Sequence, residues 1–104
     1  YHPITRKLLY AVPNDGKRSV FTGANFKRRG LRAGMPDICL PYPSQGYSAL
    51  YIELKRNENG KKGRLTQSQK ECIENLRNAG NAVHVAYGWQ EAWQIIENYL
   101  GEGV

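Results

Sequence analysis

Two strand-like runs flanking one helix-like run, residues 49–87, constrain the fold of this chain more than any other feature. Ala49-Leu50-Tyr51-Ile52-Glu53-Leu54-Lys55 is rich in aliphatic and aromatic residues, which predicts a strand. Thr66-Gln67-Ser68-Gln69 matches a capping box, a hydroxyl followed three residues later by Gln, and predicts a helix start. Cys72, Ile73, Leu76 and Ala79 recur at helical spacing until Gly80 ends the element. Ala82-Val83-His84-Val85-Ala86-Tyr87 reads as a second strand. Strand, helix and strand in this order should join as a right-handed parallel crossover. After Gly88, residues Trp89, Trp93, Ile96 and Leu100 fall on one side of a last helix.

Upstream, Asp37 opens a short apolar run, Ile38-Cys39-Leu40, that stops at Pro41 and could pair beside the Ala49–Lys55 strand. Leu8-Leu9-Tyr10-Ala11-Val12 could be a strand, and Pro13-Asn14-Asp15-Gly16 after it is a strong turn signal. Gly23, Gly30 and Gly34 break up a basic stretch expected to be loop. The sum is an α/β fold in one domain across residues 1–104, a mixed sheet with helices packed on it.

Strand alternation gives the acidic residues a geometry. Tyr51, Glu53 and Lys55 share one face of their strand, and Leu50, Ile52 and Leu54 share the other. Paired neighbours lie about 5 Å apart, so Asp37 and Glu53 would be within reach of one ion. Hard cations such as Mg²⁺ take oxygen ligands and keep several waters, so two carboxylates and a backbone carbonyl suffice. The bland alternative is a solvated sheet face with a weak surface ion pair, and for Glu-x-Lys alone it is favoured about two to one. Pro-Asp followed within about twenty residues by Glu-x-Lys is rarer, arising by chance in roughly 2% of chains of this length.

Charge distribution adds weight. Residues 1–64 carry 13 Lys/Arg against 4 Asp/Glu, a net of +9, whereas residues 65–104 carry 2 against 5, a net of −3. Lys17, Arg18, Lys27, Arg28, Arg29, Arg32, Arg56, Lys61, Lys62 and Arg64 lie mostly in expected loops, where flexible cations can follow a phosphate backbone. Any single cluster reads equally well as a solubilising loop; their gathering around one acidic pair points to nucleic acid. No apolar run reaches membrane-span length and no signal peptide is visible, so a soluble protein, cytoplasmic or intracellular, is expected; a bacterial or viral-type protein is expected as well. Cys39 and Cys72 lack metal spacing and are expected as buried thiols. His84 is expected to be structural, and Trp89, Trp93 and Tyr99 to be core or subunit contacts, since they lie away from the basic loops.

Gly30, Gly34-Met35-Pro36-Asp37, Ile52-Glu53-Leu54-Lys55 and Leu65-Thr66-Gln67-Ser68-Gln69, in that order, resemble the VRR-NUC (virus-type replication-repair nuclease) branch of the PD-(D/E)xK nucleases. Pro13-Asn14-Asp15-Gly16-Lys17-Arg18 also resembles a loop of that family. The resemblance implies a restriction-endonuclease-like mixed β-sheet flanked by α-helices and a Mg²⁺- or Mn²⁺-dependent phosphodiesterase acting on DNA. It further implies that Asp37 and Glu53 are metal ligands with the carbonyl of Leu54, that Lys55 orients or deprotonates the attacking water, and that Gln69 supports the site by hydrogen bonding. Small stand-alone members of the family look like dimeric, Holliday-junction-type resolvases, which implies branched DNA and a homodimer. The family also implies an acidic residue on a helix ahead of the first strand, yet no Asp or Glu precedes Asp15. Either that helix is missing from this stretch, which opens at Tyr1 without Met, or the site works with fewer ligands. A nucleic-acid-binding module that keeps the fold without catalysis is the alternative.

Overall fold

The structure, a computed structural model, describes residues 3–12, 34–58 and 61–101. Its elements are helix α1 (Pro3–Leu8), strands β1 (Tyr10–Ala11), β2 (Ile38–Leu40), β3 (Leu50–Lys55), β4 (Asn57–Glu58) and β5 (Lys61–Lys62), helix α2 (Gln67–Asn78), strand β6 (Ala82–Tyr87) and helix α3 (Trp89–Leu100). The main sheet runs β1-β2-β3-β6, and β4 pairs with β5 in a separate two-stranded ribbon. β1–β2 and β2–β3 are antiparallel and β3–β6 is parallel, so the sheet is mixed, as the strand, helix and strand order predicts.

The amino-terminal expectation needs correcting. Leu8 ends a helix rather than opening a strand, and only Tyr10–Ala11 pairs with β2. A helix thus does precede the first strand, but its sequence Pro-Ile-Thr-Arg-Lys-Leu contains no carboxylate. Ile4, Leu8 and Leu9 pack against the core, which outweighs the β propensity of so short a run. The turn expected at Pro13–Gly16 and the loop around Gly23 and Gly30 lie outside the described residues.

One face of the sheet presents Ile38, Leu40, Leu50, Ile52, Ala82 and Ala86 to Ala92, Ile96, Tyr99 and Leu100 of α3. The connection from β2 to β3 is fastened to the far end of that helix. Ser44 Oγ donates to the Tyr99 carbonyl at 2.6 Å, and Gln45 Nε2 donates to the carbonyls of Asn98 and Tyr99, satisfying acceptors that a helix end otherwise leaves unpaired. Helix α2 connects β3 to β6 in the crossover and buries Ile73. Among the described residues, no helix is long and apolar enough to cross a membrane.

Candidate active site

Glu53 is only 2% exposed, so it is not part of a solvated sheet face. A buried carboxyl is costly unless it is paired or bound to a cation, and its two oxygens are treated differently here. Oε2 accepts from Gln69 Nε2 at 3.2 Å and lies 3.6 Å from Lys55 Nζ. Oε1 is buried with no hydrogen-bond partner. Burial, and then the negative charge of Asp37, push the Glu53 carboxyl up to about 7, against the opposing pull of Lys55.

Asp37 reaches this carboxyl because of where β2 stops. Carrying the β2–β3 register past the Ile38–Ile52 pair sets Asp37 opposite Glu53 and Pro36 opposite Leu54. Proline has no N–H, so it cannot continue the ladder toward the Leu54 carbonyl. The Leu54 N–H instead donates to Asp37 Oδ2 at 2.8 Å, while the Asp37 main-chain carbonyl accepts from Val12 N–H at 2.7 Å. The proline therefore ends the strand where the carboxylate must turn inward.

Gln69 joins helix start to site. Its backbone N–H donates to Thr66 Oγ1 at 3.2 Å and its side-chain Oε1 accepts from Thr66 N–H at 2.9 Å, completing the predicted capping box. The same Oε1 accepts from Lys55 Nζ at 2.8 Å. With two donors on the oxygen, Nε2 is left to face Glu53, which fixes the amide orientation. Close packing explains Gly34: its φ is +86°, and a Cβ there would stand 2.5 Å from the Ser68 carbonyl oxygen and 2.9 Å from the Gln69 nitrogen. Only glycine lets the segment leading to Asp37 lie directly on the first turn of α2.

Asp37, Glu53, Leu54, Lys55 and Gln69, the five residues singled out for chemistry, thus line a single cleft of about 620 Å³, together with Arg56, Gly63, Gly88 and Trp89. Among the described residues there is no cluster of three or more His, Cys, Asp or Glu side chains, so the acidic set stands at two. The chemistry of the donors nevertheless fits a hard divalent cation: two convergent carboxyl groups, one with an unpartnered buried oxygen, beside a strand end.

A sequence profile of the VRR-NUC domain matches residues 6–90. This chain belongs to the VRR-NUC family. As a VRR-NUC domain it is also similar to a solved structure described as a "VRR_NUC domain protein", at 32% identity and a TM-score of 0.73, covering 91% of this chain and 70% of that one. No curated protein matches. Family membership assigns the domain to a nuclease type in general terms.

Of the basic residues singled out from sequence, Arg56 lines the cleft of this VRR-NUC domain and Arg64 is exposed nearby in the chain. Lys61 and Lys62 form β5. Lys17, Arg18, Lys27, Arg28, Arg29 and Arg32 lie outside the described residues. Cys39 is buried as expected, but Cys72 is only half-buried, its Sγ 3.2 Å from Met35 Sδ. His84 is exposed at the β6 edge, with its pKa lowered by partial burial and by Arg77. Tyr99 and Trp93 do pack in or against the core, whereas Trp89 is 55% exposed and lines the cleft. Trp89, expected as a core or subunit contact, is not in the core: as the first helical residue it lies beyond the end of β6, where the sheet no longer covers it. The signal that marks it is Gly88-Trp89 directly after the strand that pairs with Glu53-Leu54-Lys55.

Proposed function

We propose that this domain, spanning residues 1–104, is a Mg²⁺- or Mn²⁺-dependent endonuclease that hydrolyses phosphodiester bonds in branched or otherwise structured DNA. The observation that carries the reading is the buried Glu53, one oxygen of which has no hydrogen-bond partner, lining the same cleft as Asp37. Asp37, Glu53 and the Leu54 carbonyl would hold the cation. Bound there, a divalent ion lowers the pKa of water toward neutrality and offsets charge on the phosphate.

The remaining steps belong to the chain. Lys55 has three N–H donors; one is held by Gln69 Oε1, so another is available to orient an attacking water or a phosphate oxygen. Gln69 holds Glu53 and Lys55 at a set separation, which keeps the carboxylate from closing fully onto the ammonium. Arg56 at the cleft, Arg64, Lys61 and Lys62, with Lys17, Arg18, Lys27, Arg28, Arg29 and Arg32, would contact DNA through phosphates. A homodimer suits a branched substrate, because a two-fold pair presents two mirrored sites; sedimentation showing only monomer at micromolar concentration would remove this element.

Incubation with a four-way junction, a flap and a linear duplex, with and without EDTA, tests the reading. Cleavage should need the metal and disappear in Asp37→Ala and Glu53→Ala; cleavage that survives chelation or either substitution would sink it. One observation favours a second reading, a non-catalytic DNA-binding module: α1 brings no carboxylate and the described acidic set stops at two. Salt-sensitive DNA binding without Mn²⁺ uptake or turnover would select that reading.

A further inference from the structure

The cleft has one wall that metal-assisted hydrolysis does not use. Trp89 is the most exposed of the large apolar side chains among the described residues, at 55%. Single exposed apolar residues are ordinary on protein surfaces. This one is distinguished by where its backbone is anchored. Lys55 pairs in register with Tyr87 across β3–β6, and the Gly88 N–H donates to the Lys55 carbonyl at 3.2 Å. Trp89 follows immediately as the first residue of α3, so its Cα is tied to the strand that bears Glu53 and Lys55. It also sits beyond the carboxyl ends of two parallel strands, where α/β sheets receive their ligands.

The surroundings narrow what the indole could meet. The cleft of about 620 Å³ is lined by Trp89 together with two carboxyl groups, Asp37 and Glu53, two cations, Lys55 and Arg56, and Gly63, which has no side chain. An apolar ring among charged groups fits a ligand that is itself half charged and half flat. A nucleotide is such a ligand, with its phosphate drawn to the charged end and its base left to cover the ring. Every base has a π-face, so stacking tolerates any sequence, but a base paired within a duplex already spends both faces on its neighbours.

We infer that Trp89 is a base-stacking, specificity-determining residue, selecting nucleic acid in which a nucleotide beside the scissile phosphate is unpaired. The inference rests on the nuclease reading for the position of the phosphate, and it deepens that reading by naming the local feature the substrate must carry.

The test is binding in EDTA, where no cleavage is needed. Three probes are used: a duplex with a single-stranded thymidine branch, the same branched duplex with an abasic residue at the branch point, and a fully paired duplex. Stacking on an aromatic side chain is lost on truncation with about a 5- to 100-fold fall in affinity. Branched DNA should quench tryptophan emission in the wild type, with most of the quench gone in Trp89→Phe. Trp89→Ala should weaken binding of the thymidine branch by that factor. The abasic branch should bind the wild type as weakly as Trp89→Ala binds the thymidine branch, with no further loss when both changes are combined. Equal losses on all three probes, or indifference of the wild type to the abasic residue, would overturn the inference. Circular dichroism of Trp89→Ala checks that the fold is kept, and Trp89→Phe, which retains a ring, should recover part of the affinity. Chelation-sensitive cleavage is scored separately: cleavage without stacking removes this inference alone, and stacking without cleavage removes the nuclease reading and leaves Trp89 as the base-stacking residue of a binding site.

Discussion

Replacing Glu53 by Gln should make the metal-free protein more stable at alkaline pH while abolishing its response to metal. The unfolded carboxyl ionises near 4.5 and the folded one near 7, so the native state binds this proton more tightly than the unfolded state does. Stability contributed by the group is therefore complete at low pH, falls as pH rises from about 4.5 to about 7, and stays low above that. Worked through linkage, a shift of this size removes about 2.5 kcal/mol between pH 5 and pH 8, and because Glu53 is 2% exposed little of it is screened by solvent. For a domain of this length that is about 10 °C in Tm. Glutamine matches the shape, accepts from Gln69 through its oxygen and offers its amide toward Asp37, with no charge to desolvate. Urea denaturation of both proteins in EDTA at pH 5, 6, 7 and 8 gives the difference directly, free of other titrating groups. It should grow in favour of Gln as pH rises. Adding Mn²⁺ at pH 8 should then raise the wild type by about 3 kcal/mol at a hundred times its Kd, and leave Glu53→Gln where it was. A difference that is flat with pH, or a variant that gains as much from Mn²⁺ as the wild type, would refute the reasoning.

Other substitutions probe the supports of the site. Gly34→Ala places a Cβ against the Ser68 carbonyl at a positive φ and should cost about 2–4 kcal/mol by urea denaturation, with weaker Mn²⁺ uptake as Asp37 moves away from α2. Gln69→Ala strips both the cap partner and the donor to Glu53 Oε2, and should lose about 1–3 kcal/mol of stability together with cleavage rate. Thr66→Ala should lower stability by about 1 kcal/mol by thermal unfolding and reduce cleavage less than Gln69→Ala does, since it removes the cap alone. Lys55→Met removes a charge and a hydrogen bond that lower the Glu53 pKa, so Mn²⁺ binding measured by calorimetry should shift to higher pH even though a positive charge has left the cleft.

Legibility of the sequence tracked how local each signal was. Thr66 to Gln69 announced a helix start because the cap is made within four residues, and it forms as read. β6 and α3 were equally plain, since Ala82–Tyr87 is flanked by glycines and α3 repeats its apolar residues at helical spacing. Asp37, Glu53 and Lys55 could be brought together on paper because strand alternation and a single register decide their faces. Leu8 is ambiguous in the sequence because its environment is set by residues far along the chain: an apolar run of five fits either element until the core claims it. Trp89, expected as a core or subunit contact, stands outside the core for the opposite reason. Its helical periodicity was real, but periodicity does not say where the sheet beneath a helix ends. The burial of Glu53, which separates a site from a solvated face, is likewise a property of packing that no spacing encodes.

Gln69 closes the first turn of α2 with the same side chain that spaces Glu53 from Lys55. Helix ends fray on fast timescales, and local opening of this kind proceeds without global unfolding. Each time the first turn of α2 opens, the amide leaves both posts at once, and the carboxylate and the ammonium are free to collapse onto each other. On the nuclease reading, the competence of the cleft would be gated by the breathing of a single helical turn, and anything that clamps residues 66–69 would speed cleavage without touching substrate.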